Sequence, residues 1–365
     1  NNRLPPREGV ARHVLETGRR LARRGHDVTL LGRGDRLAEG EADGLRLVLR
    51  PIPPLGPLGQ LTDYARLRRW LGEHAGETDL VHAHLPLLPP LPAAPRLVVT
   101  VHSPMPTDAA AIREPGVRAA LLKLQARLVS RRIEAWHLRH AERLIAVSRG
   151  VRGELVRDYA VPPGRIEVVP NGVDTDAFPF AAGEREPFVL YVGRLGYRKG
   201  LPRLLEAFAR LKGRPGLGLV LAGEGPLAPT LARRAADLGI ADRVRFVGFQ
   251  DRDPLLALLH AAACLVNPAD YEPGPLTLLE AMAAGTPVVS TPTGLARELG
   301  PEPPLLLARP ESPSLAAAIA ACLDDPAAAA SRARRARALV EREHAWERVV
   351  DRLETLYGIR ERAAA

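Results

Sequence analysis

Cysteine, lysine and aromatic residues are all scarce in this sequence, and each scarcity excludes something. Cys264 and Cys322 are the two cysteines among 365 residues, too few for a disulfide framework or a cysteine-based zinc site. The longest apolar run, around Leu255 to Val266, is broken by His260 and is too short to span a bilayer. We therefore expect a protein of a reducing, cytoplasmic compartment, and no signal peptide is visible.

Lysine is nearly missing although the chain is basic. The net charge is +9, and of 51 basic residues three are lysines, namely Lys123, Lys199 and Lys212. This arginine bias indicates a genomic preference, so the basicity partly reflects mutation pressure. The positive charge favours an anionic small-molecule ligand and contact with an anionic membrane. Nucleic acid is not predicted as a partner, because zinc-finger spacing, RNP-like aromatic motifs and a long basic tail are all lacking.

Short apolar runs alternate with helical patterns along most of the chain, which predicts an α/β fold with parallel, doubly wound sheets. The first set of predicted strands is Val28–Leu31, Leu45–Leu49, Leu80–Ala83, Leu97–Val101, Leu144–Val147 and Ile166–Val169. The second set is Phe188–Val192, Leu217–Ala222, Val244–Val247, Cys264–Asn267 and Val288–Ser290. Helices are predicted at Val10–Arg24, Leu201–Leu211, Leu227–Leu238 and Leu276–Ala284.

These strands are too many for one sheet of this kind, and the pattern restarts at Phe188, so two Rossmann-like domains are predicted. The segment Phe178–Pro187 is predicted to link a first domain (1–180) to a second (187–344). Residues 1–6 resemble a loop, so a strand before them is expected to be missing from the sequence. A ligand is expected in the cleft between the domains, at the carboxyl ends of the strands.

Two carboxylates, Glu272 and Glu280, stand eight residues apart across the start of a predicted helix, with Gly285 as its C-terminal signal. The positive end of a helix and its free backbone N–H groups suit an anion, so Gly274, Leu276 and Thr277 are predicted to bind the phosphates of a donor. The carboxylates would accept hydrogen bonds from sugar hydroxyls. The alternative is a solvated Glu272 and a Glu280 on an ordinary helix face.

A glycine-rich basic loop, Gly193 to Gly200, follows the first strand of the second domain. Gly193 allows the chain to turn close to a ligand, and Arg194 and Lys199 could converge on a diphosphate. The alternative is a solvated loop that is merely basic, although a lysine is rare in this chain. A second glycine-rich turn at Gly223 faces the ligand or simply connects a strand to a helix.

Histidines mark the strand ends of the first half. His102 ends a strand and is predicted to face the cleft between the domains. The small pair Glu8-Gly9 is predicted to offer a backbone amide to the same cleft. His82 and His84 alternate in another strand. Because no third ligand stands at ligand spacing along the chain, we interpret them as packing or hydrogen-bonding groups and predict no metal site.

Taken in order, the motifs resemble those of the retaining glycosyltransferases of family 4, which have the GT-B fold. The matching segments are Pro5–Val14, Val81–His84, Thr100–His102, Ala146–Ser148, Val169–Asp174, Gly193–Gly200, Gly223–Pro226, Val244–Gly248 and Glu272–Glu280. Trp346 opens a last helix (345–365) similar to the one that packs back on the first domain in that family. The resemblance covers essentially the whole chain.

The resemblance implies roles for individual residues. Glu272 would contact hydroxyls of the transferred sugar, Glu280 would hold the ribose, and Arg194 and Lys199 would bind the diphosphate. The amide of Gly9 would approach the phosphates, and His102 would lie beside the donor sugar. Such enzymes generally need no metal, because cationic side chains and the helix dipole neutralise the leaving diphosphate; no other cofactor is expected.

Two departures from the family pattern affect the expected donor site. The family often has Phe-Gly where this chain has Gly274-Pro275, and proline cannot donate a backbone hydrogen bond. A glycine pair is usual where this chain has Glu8-Gly9.

The sequence thus predicts a GT-B hexosyltransferase that uses a nucleoside diphosphate sugar and a hydroxyl acceptor, with retention of the anomeric configuration. The alternatives are a sugar epimerase, a phosphorylase, or an inactive scaffold of the same fold.

A segment from Leu121 to Arg143 combines apolar and basic residues at helical spacing. The apolar ones are Leu121, Leu122, Leu124, Leu128, Ile133 and Trp136, and the basic ones are Lys123, Arg127, Arg131, Arg132, Arg139 and Arg143. This pattern fits an ordinary core helix with solvated arginines. It also fits peripheral attachment to the anionic inner face of the membrane.

Overall fold

The computed structural model describes residues 9–34, 38–51, 57–86, 88–91, 96–112 and 116–358. The chain divides into two compact units: residues 1–109, 117–171 and 346–365 form the first, and residues 110–116 and 172–345 form the second.

The first unit contains two sheets. Its described strands are β1 (Thr29–Gly34), β2 (Ala38–Ala42), β3 (Leu45–Pro51), β4 (Val81–Leu85), β5 (Leu97–Val101), β6 (Arg143–Ala146) and β7 (Ile166–Val168). One sheet has the order β1-β3-β2, with β1 parallel and β2 antiparallel to β3. The other has the order β4-β5-β6-β7 and is parallel throughout. Strand β5 lies between β4 and β6, and all five of its residues are buried, as expected for a parallel strand covered on both faces.

Helices complete this unit. They are α1 (Gly9–Arg23), α2 (Pro57–Glu73), α3 (Met105–Ala110), α4 (Val117–Gln125), α5 (Arg131–His140), α6 (Arg149–Tyr159) and, from the end of the chain, α14 (Trp346–Leu356). A π-helical turn, Ala126–Ser130, joins α4 to α5. Helix α3 begins at Met105 in the first unit, and Ala110, its last residue, falls in the second.

Helix α14 belongs to the first unit by packing and by charge. Its apolar face, with Trp346, Val350 and Leu353, joins a core that also contains Val98 and Ile145. The guanidinium of Arg24 donates to three carboxylates of this helix, those of Glu347, Asp351 and Glu354, at 2.6, 2.9 and 2.7 Å.

The second unit is built on one six-stranded parallel sheet. Its strands are β8 (Glu186–Val192), β9 (Gly218–Ala222), β10 (Val244–Gly248), β11 (Ala262–Asn267), β12 (Val288–Ser290) and β13 (Leu306–Leu307). Its helices are α7 (Leu201–Ala209), α8 (Ala228–Asp237), α9 (Arg252–Ala261), α10 (Leu276–Ala284), α11 (Gly294–Glu298), α12 (Ser312–Asp324) and α13 (Pro326–Glu343).

The strand order of this sheet is β10-β9-β8-β11-β12-β13. In the order along the chain this is 3-2-1-4-5-6, the doubly wound arrangement of dinucleotide-binding folds. Apolar clusters cover both faces of the sheet, one centred on Phe208 and Leu219 and the other on Leu190 and Met282. The predicted α/β class with parallel sheets is confirmed.

The units divide at Asn171–Gly172, which differs from the predicted linker Phe178–Pro187. That segment is packed into the second unit. Arg337 donates to the carbonyls of Thr175, Phe178 and Ala283 at 3.2, 2.7 and 2.8 Å. Arg185 donates to the carbonyls of Ala181 and Gly285 at 2.9 and 2.8 Å. The proline and glycine residues of this segment suggested a linker. The segment is instead held in the second unit by hydrogen bonds from arginines.

Candidate functional site

Four loops meet at the carboxyl edge of the six-stranded sheet. They follow β8, β9, β11 and β12, and they begin at Gly193, Gly223, Pro268 and Thr291. All strands run parallel, but the order in which they are added to the sheet reverses between β8 and β11, and open α/β sheets bind ligands at such a switch point. The predicted donor residues of the second unit lie on the loops after β8, β9 and β11 and on helix α10.

The loops after β8 and β9 approach each other so closely that glycine is required. Gly223 has φ +148°, and a Cβ atom built on it would lie 1.9 Å from the carbonyl oxygen of Gly193. The amide of Gly193 donates to the carbonyl of Ala222 at 2.9 Å. Directly after Gly193, the side chain of Arg194 is exposed, whereas that of its neighbour Leu195 is buried. The structure thus presents Arg194 at the sheet edge on a firmly held backbone.

The other end of the basic loop packs on the loop after β11. Gly200 has φ +65°, and a Cβ there would lie 1.9 Å from the carbonyl oxygen of Pro268. Arg198, also at positive φ, donates to the carbonyl of Tyr271 at 2.8 Å, and its carbonyl accepts from the amide of Asp270 at 2.8 Å. These contacts bring Lys199 beside Glu272.

Lys199 and Glu272 form an ion pair through Nζ and Oε2, and the Arg198 guanidinium lies 3.8 Å from the same oxygen. The Glu272 side chain is 14% exposed. Burial by itself would raise the pKa of this carboxyl, but Lys199 and Arg198 hold the pKa below its ordinary value. Glu272 is therefore a carboxylate at neutral pH in a cationic surrounding, and the alternative of a solvated Glu272 is wrong.

Helix α10 starts four residues after Glu272. Pro275 is its N-cap residue and has no amide hydrogen, and Leu276 and Thr277 provide the first backbone amides. Glu280, on the second turn, is 3% exposed, so it is not an ordinary solvated residue of a helix face. Gly285 ends the helix at φ +80°, where the amide of Thr286 donates to the carbonyl of Ala281 at 2.9 Å, as the sequence predicted.

The remaining two candidates, Gly9 and His102, belong to the first unit. Gly9 is exposed at the first residue of α1, and Glu8 lies outside the described residues. His102 follows β5 directly and is 7% exposed, and its amide donates to the carbonyl of Leu85 at 3.2 Å. The structure therefore groups nine of the eleven candidates in the second unit and two in the first.

His102 has two imidazole neighbours. His84 lies on the adjacent strand β4, and its Nδ1 is 3.2 Å from Nε2 of His102. His13, on α1, has its ring centroid 4.9 Å from that of His102. His82 bonds to Tyr357 and Thr100 at 2.7 Å each, which confirms its interpretation as a hydrogen-bonding group. Burial lowers the pKa of all four histidines.

The first unit also contains a cavity of about 730 Å³. Residues of α1, β1 and β4 line it, together with Trp70 and Tyr357. Neither Gly9 nor His102 lines this cavity, and the candidates of the second unit do not line it either. It is therefore separate from the predicted donor residues.

Sequence reasoning missed two residues at these places. Arg198 was part of the basic loop but was not singled out, although two adjacent cations before a glycine were a signal. His13 was passed over because it stands in a helical pattern about 70 residues before the other histidines, and nothing in its spacing links it to them.

Two family models match the chain, one for each half. The model described as Glycosyltransferase Family 4 matches residues 7–177, and the model described as Glycosyl transferases group 1 matches residues 173–339.

Individual relatives match over most of the chain. Glycogen synthase from Mycobacterium tuberculosis is 34% identical over 96% of this chain and 90% of its own length. GDP-mannose-dependent alpha-(1-6)-phosphatidylinositol monomannoside mannosyltransferase from Mycolicibacterium smegmatis is 30% identical over 81% of this chain and 80% of its own length. The structure of sucrose-phosphate synthase from Thermosynechococcus elongatus superposes with a TM-score of 0.78 at 26% identity, covering 98% of this chain and 94% of that one.

Proposed function

Because the chain belongs to glycosyltransferase family 4 and has the GT-B fold, we propose that it transfers a hexose from a nucleoside diphosphate sugar to a hydroxyl acceptor with retention of the anomeric configuration. The cluster of Lys199, Arg198 and Glu272 at the switch point of the second sheet carries this proposal. It combines cations for a diphosphate with a carboxylate for hydroxyl groups.

The cations and the helix end would bind the phosphates of the donor. Arg194 and Lys199 supply charged donors, and the amides of Leu276 and Thr277 face outward from the positive end of α10. Charged hydrogen bonds of this kind contribute about 1.5–3 kcal/mol each. Because Pro275 has no amide hydrogen to donate, phosphate binding depends more on the side chains.

The carboxylates would bind the hydroxyl groups. Glu272, held ionised by its cationic neighbours, accepts hydrogen bonds from the sugar, and Glu280 accepts from the ribose. Gly193, Gly223 and Gly274 allow the backbone to approach the donor. Gly9 and His102 of the first unit keep the roles that the resemblance implies, an amide near the phosphates and an imidazole beside the donor sugar.

The proposed chemistry is electrostatic. The bond between the anomeric carbon and the diphosphate oxygen breaks, and the acceptor oxygen bonds to that carbon on the same face. The acceptor proton passes to the departing phosphate oxygen. Arg194, Lys199 and the amides of α10 stabilise the charge that grows on the leaving group. No covalent glycosyl intermediate is required.

The first test separates a transferase from an inactive scaffold. Wild-type protein is incubated with UDP-, GDP- and ADP-hexoses, and slow hydrolysis to the nucleoside diphosphate is followed. Glu272→Gln should remove most of the turnover while the melting temperature stays close to that of the wild type. Glu302→Gln, an exposed carboxylate of the same unit, is the matched control. Wild-type activity in a folded Glu272→Gln variant would remove Glu272 from the site.

Donor binding is measured on its own by calorimetric titration with UDP and GDP. Arg194→Ala and Lys199→Ala should each lower the affinity for whichever nucleoside diphosphate the wild type binds. The double variant should lower this affinity further. Unchanged affinity in both would mean that the loop is merely basic. Release of a free sugar phosphate or a changed sugar configuration would indicate a phosphorylase or an epimerase instead.

We also propose that the first unit contacts an anionic membrane through the segment Val117–Arg132. Its exposed apolar residues are Val117, Leu121, Leu122, Leu124, Leu128 and Val129, at 38–78% exposure. Lys123 and Arg127 are interspersed among them, and Arg132 follows. An ordinary core helix would bury these leucines, whereas an interfacial helix inserts its apolar side and places its cations at lipid headgroups. Among the described helices none is long and apolar enough to cross a membrane.

Vesicle co-sedimentation tests this contact. Binding should increase with the anionic lipid fraction, decrease with added salt, and decrease in Arg127→Glu/Arg132→Glu. The control Arg245→Glu/Arg335→Glu makes the same charge change at exposed sites of the second unit and should bind like the wild type. Equal recovery in the supernatant with neutral and anionic vesicles at low salt would contradict the proposal and favour a cytoplasmic enzyme without membrane contact.

A further inference from the structure

Three buried histidines from three different elements converge in the first unit. His13 comes from the second turn of α1, His84 from β4, and His102 from the position directly after β5. One nitrogen from each lies within 4.8 Å of the others. The chain has ten histidines, so the convergence of three buried ones at one point is an unexpected use of a polar residue.

The distances within this cluster suit a metal ion. Zinc binds imidazole nitrogen at about 2.0–2.1 Å in tetrahedral geometry, which separates two ligand atoms by roughly 3.3 Å. Nδ1 of His84 and Nε2 of His102 are 3.2 Å apart. An N–H···N hydrogen bond has a similar length, so this pair alone does not distinguish the two arrangements.

The position of His13 favours a metal ion over a simple hydrogen bond between His84 and His102. Its ring centroid is 4.9 Å from that of His102 and 5.5 Å from that of His84. It is 2% exposed and hydrogen-bonds to the side chain of Asn171, but its Nδ1 has no hydrogen-bond partner. A buried polar atom without a partner costs free energy and calls for an explanation such as an ion. An ion between the three rings would supply the missing partner.

The protonation state and the scaffold also fit. Burial lowers the pKa of His13 to about 4 and those of His84 and His102 well below the ordinary value, so all three are neutral and have lone pairs for a metal. Strands β4 and β5 are hydrogen-bonded neighbours in which His84 pairs with Thr100. This register fixes the separation of His84 from His102, as a preformed site requires.

We propose that His13, His84 and His102 bind one Zn²⁺ ion. Imidazole is a preferred ligand of zinc, and three protein ligands leave one tetrahedral position open to water or another small ligand. The sequence predicted no metal site because it contains no third ligand near His82 and His84, but the fold supplies the missing ligands from α1 and from the position directly after β5. Because His102 is also the histidine proposed to lie beside the donor sugar, zinc at this site would inhibit transfer. That consequence rests on the proposed function, whereas the binding itself does not.

The test uses cobalt as a spectroscopic substitute for zinc. The full chain is treated with EDTA, desalted and titrated with Co²⁺, followed by the visible absorption of four-coordinate cobalt and by displacement with Zn²⁺. We expect one ion per chain. His13→Gln and His84→Gln should each weaken binding by more than about 100-fold, beyond the roughly 10–100-fold loss expected for a group that merely orients a ligand.

His82→Gln is the matched control. It makes the same change in the same cluster, but the ring nitrogens of His82 are bonded to Tyr357 and Thr100, so its metal affinity should stay close to that of the wild type. Equal affinity in the wild type, His13→Gln and His84→Gln would overturn the proposal.

A measurement on the wild type alone keeps the test valid if the variants do not fold. X-ray absorption of the zinc-loaded chain should show three imidazole ligands. Zinc bound mainly by oxygen, or no stoichiometric binding, would overturn the site. Loss of transfer activity on adding zinc, without a change in nucleoside diphosphate binding to the second unit, would connect the site to the proposed reaction. Zinc binding without inhibition would leave the metal site in place and contradict the role of His102.

Discussion

At the scale of single residues, the unusual groups of this protein are buried carboxyls and imidazoles with shifted pKa values. Glu134 on α5 is 3% exposed. Its carboxyl accepts the amide of Met105 at 3.0 Å and the hydroxyl of Tyr159. Burial raises the pKa of Glu134 to about 7 despite these hydrogen bonds. A protonated glutamate is therefore part of the folded state at mildly acidic pH.

This raised pKa predicts a pH-dependent stability. Between pH 4.5 and about 7 the unfolded chain has released the Glu134 proton while the folded chain still holds it. The stabilisation is complete below pH 4.5 and is lost as the pH rises through 7. Glu134→Gln resembles the protonated form and has no such dependence. Relative to the wild type, the variant should gain roughly 3 kcal/mol across this window.

Urea denaturation at pH 5, 6, 7 and 8 measures this difference. Glu167→Gln, which removes an exposed carboxylate from β7, controls for the loss of one charge. Parallel stability profiles for Glu134→Gln and the wild type would show that Glu134 is ionised in the folded protein throughout this range.

At the scale of elements, the sequence predicted the buried strands and the edge strands β1, β4, β7 and β10, but it missed the edge strands β2 and β13. Strands β5, β8 and β11 are continuous apolar runs covered on both sides, and such runs are recognisable in a sequence. Strand β2, with the sequence Ala38-Glu39-Gly40-Glu41-Ala42, was missed because it lies at a sheet edge and is mostly exposed. Strand β13 has two residues, fewer than any periodicity can reveal.

The candidate site could be predicted where it depends on local chain order. Glu272, Glu280 and Gly285 take the positions around α10 that their spacing indicated, and the Gly193–Gly200 loop follows β8. The approach of Lys199 to Glu272 could not be predicted, because it arises from the pairing of β8 with β11 across about 70 residues. The histidine cluster was missed for the same reason, since parallel pairing and helix packing join distant segments.

The attachment of α14 gives a prediction at this scale. Arg24 reaches three carboxylates of that helix, of which Glu354 is 9% exposed in its side chain. Arg24→Ala should lower the free energy of unfolding by about 1–2 kcal/mol, after allowance for solvent screening at the more exposed partners. Arg23→Ala removes an exposed guanidinium one residue earlier and should have an effect within about 0.5 kcal/mol. Chemical denaturation compares them, and equal losses would show that the three ion pairs contribute nothing specific.

At the scale of the whole molecule, the chain combines two α/β units, each with parallel strands, and the GT-B fold expected from the motif order is confirmed. The order of motifs was informative because several of them, such as Thr100–His102, Gly193–Gly200 and Gly223–Pro226, mark the carboxyl end of a strand. The domain boundary was less predictable, since a proline-containing segment packs as tightly as its neighbours.

The proposed transfer should not require a metal. Arg194, Arg198, Lys199 and the start of α10 already provide positive charge for a leaving diphosphate. Turnover measured after EDTA treatment should equal that of untreated enzyme, or exceed it if inhibitory zinc was present. Complete loss of activity with recovery on adding magnesium or manganese would contradict this expectation.

Two arginines, Arg185 and Arg337, hold the segment Phe178–Pro187, and their contacts change how the charge of this protein is interpreted. The guanidinium groups of Arg185 and Arg337 are directed at backbone carbonyls near the ends of α9 and α10, where the helix dipoles are negative. Their charge is used to compensate internal dipoles, so it adds little to the field that an approaching anion meets. A lysine could not replace either one, because a single ammonium lacks the planar fork that bonds several carbonyls at once. The formal charge of +9 therefore overstates the attraction of the surface for polyanions, and the preference for arginine over lysine has a structural use in this chain.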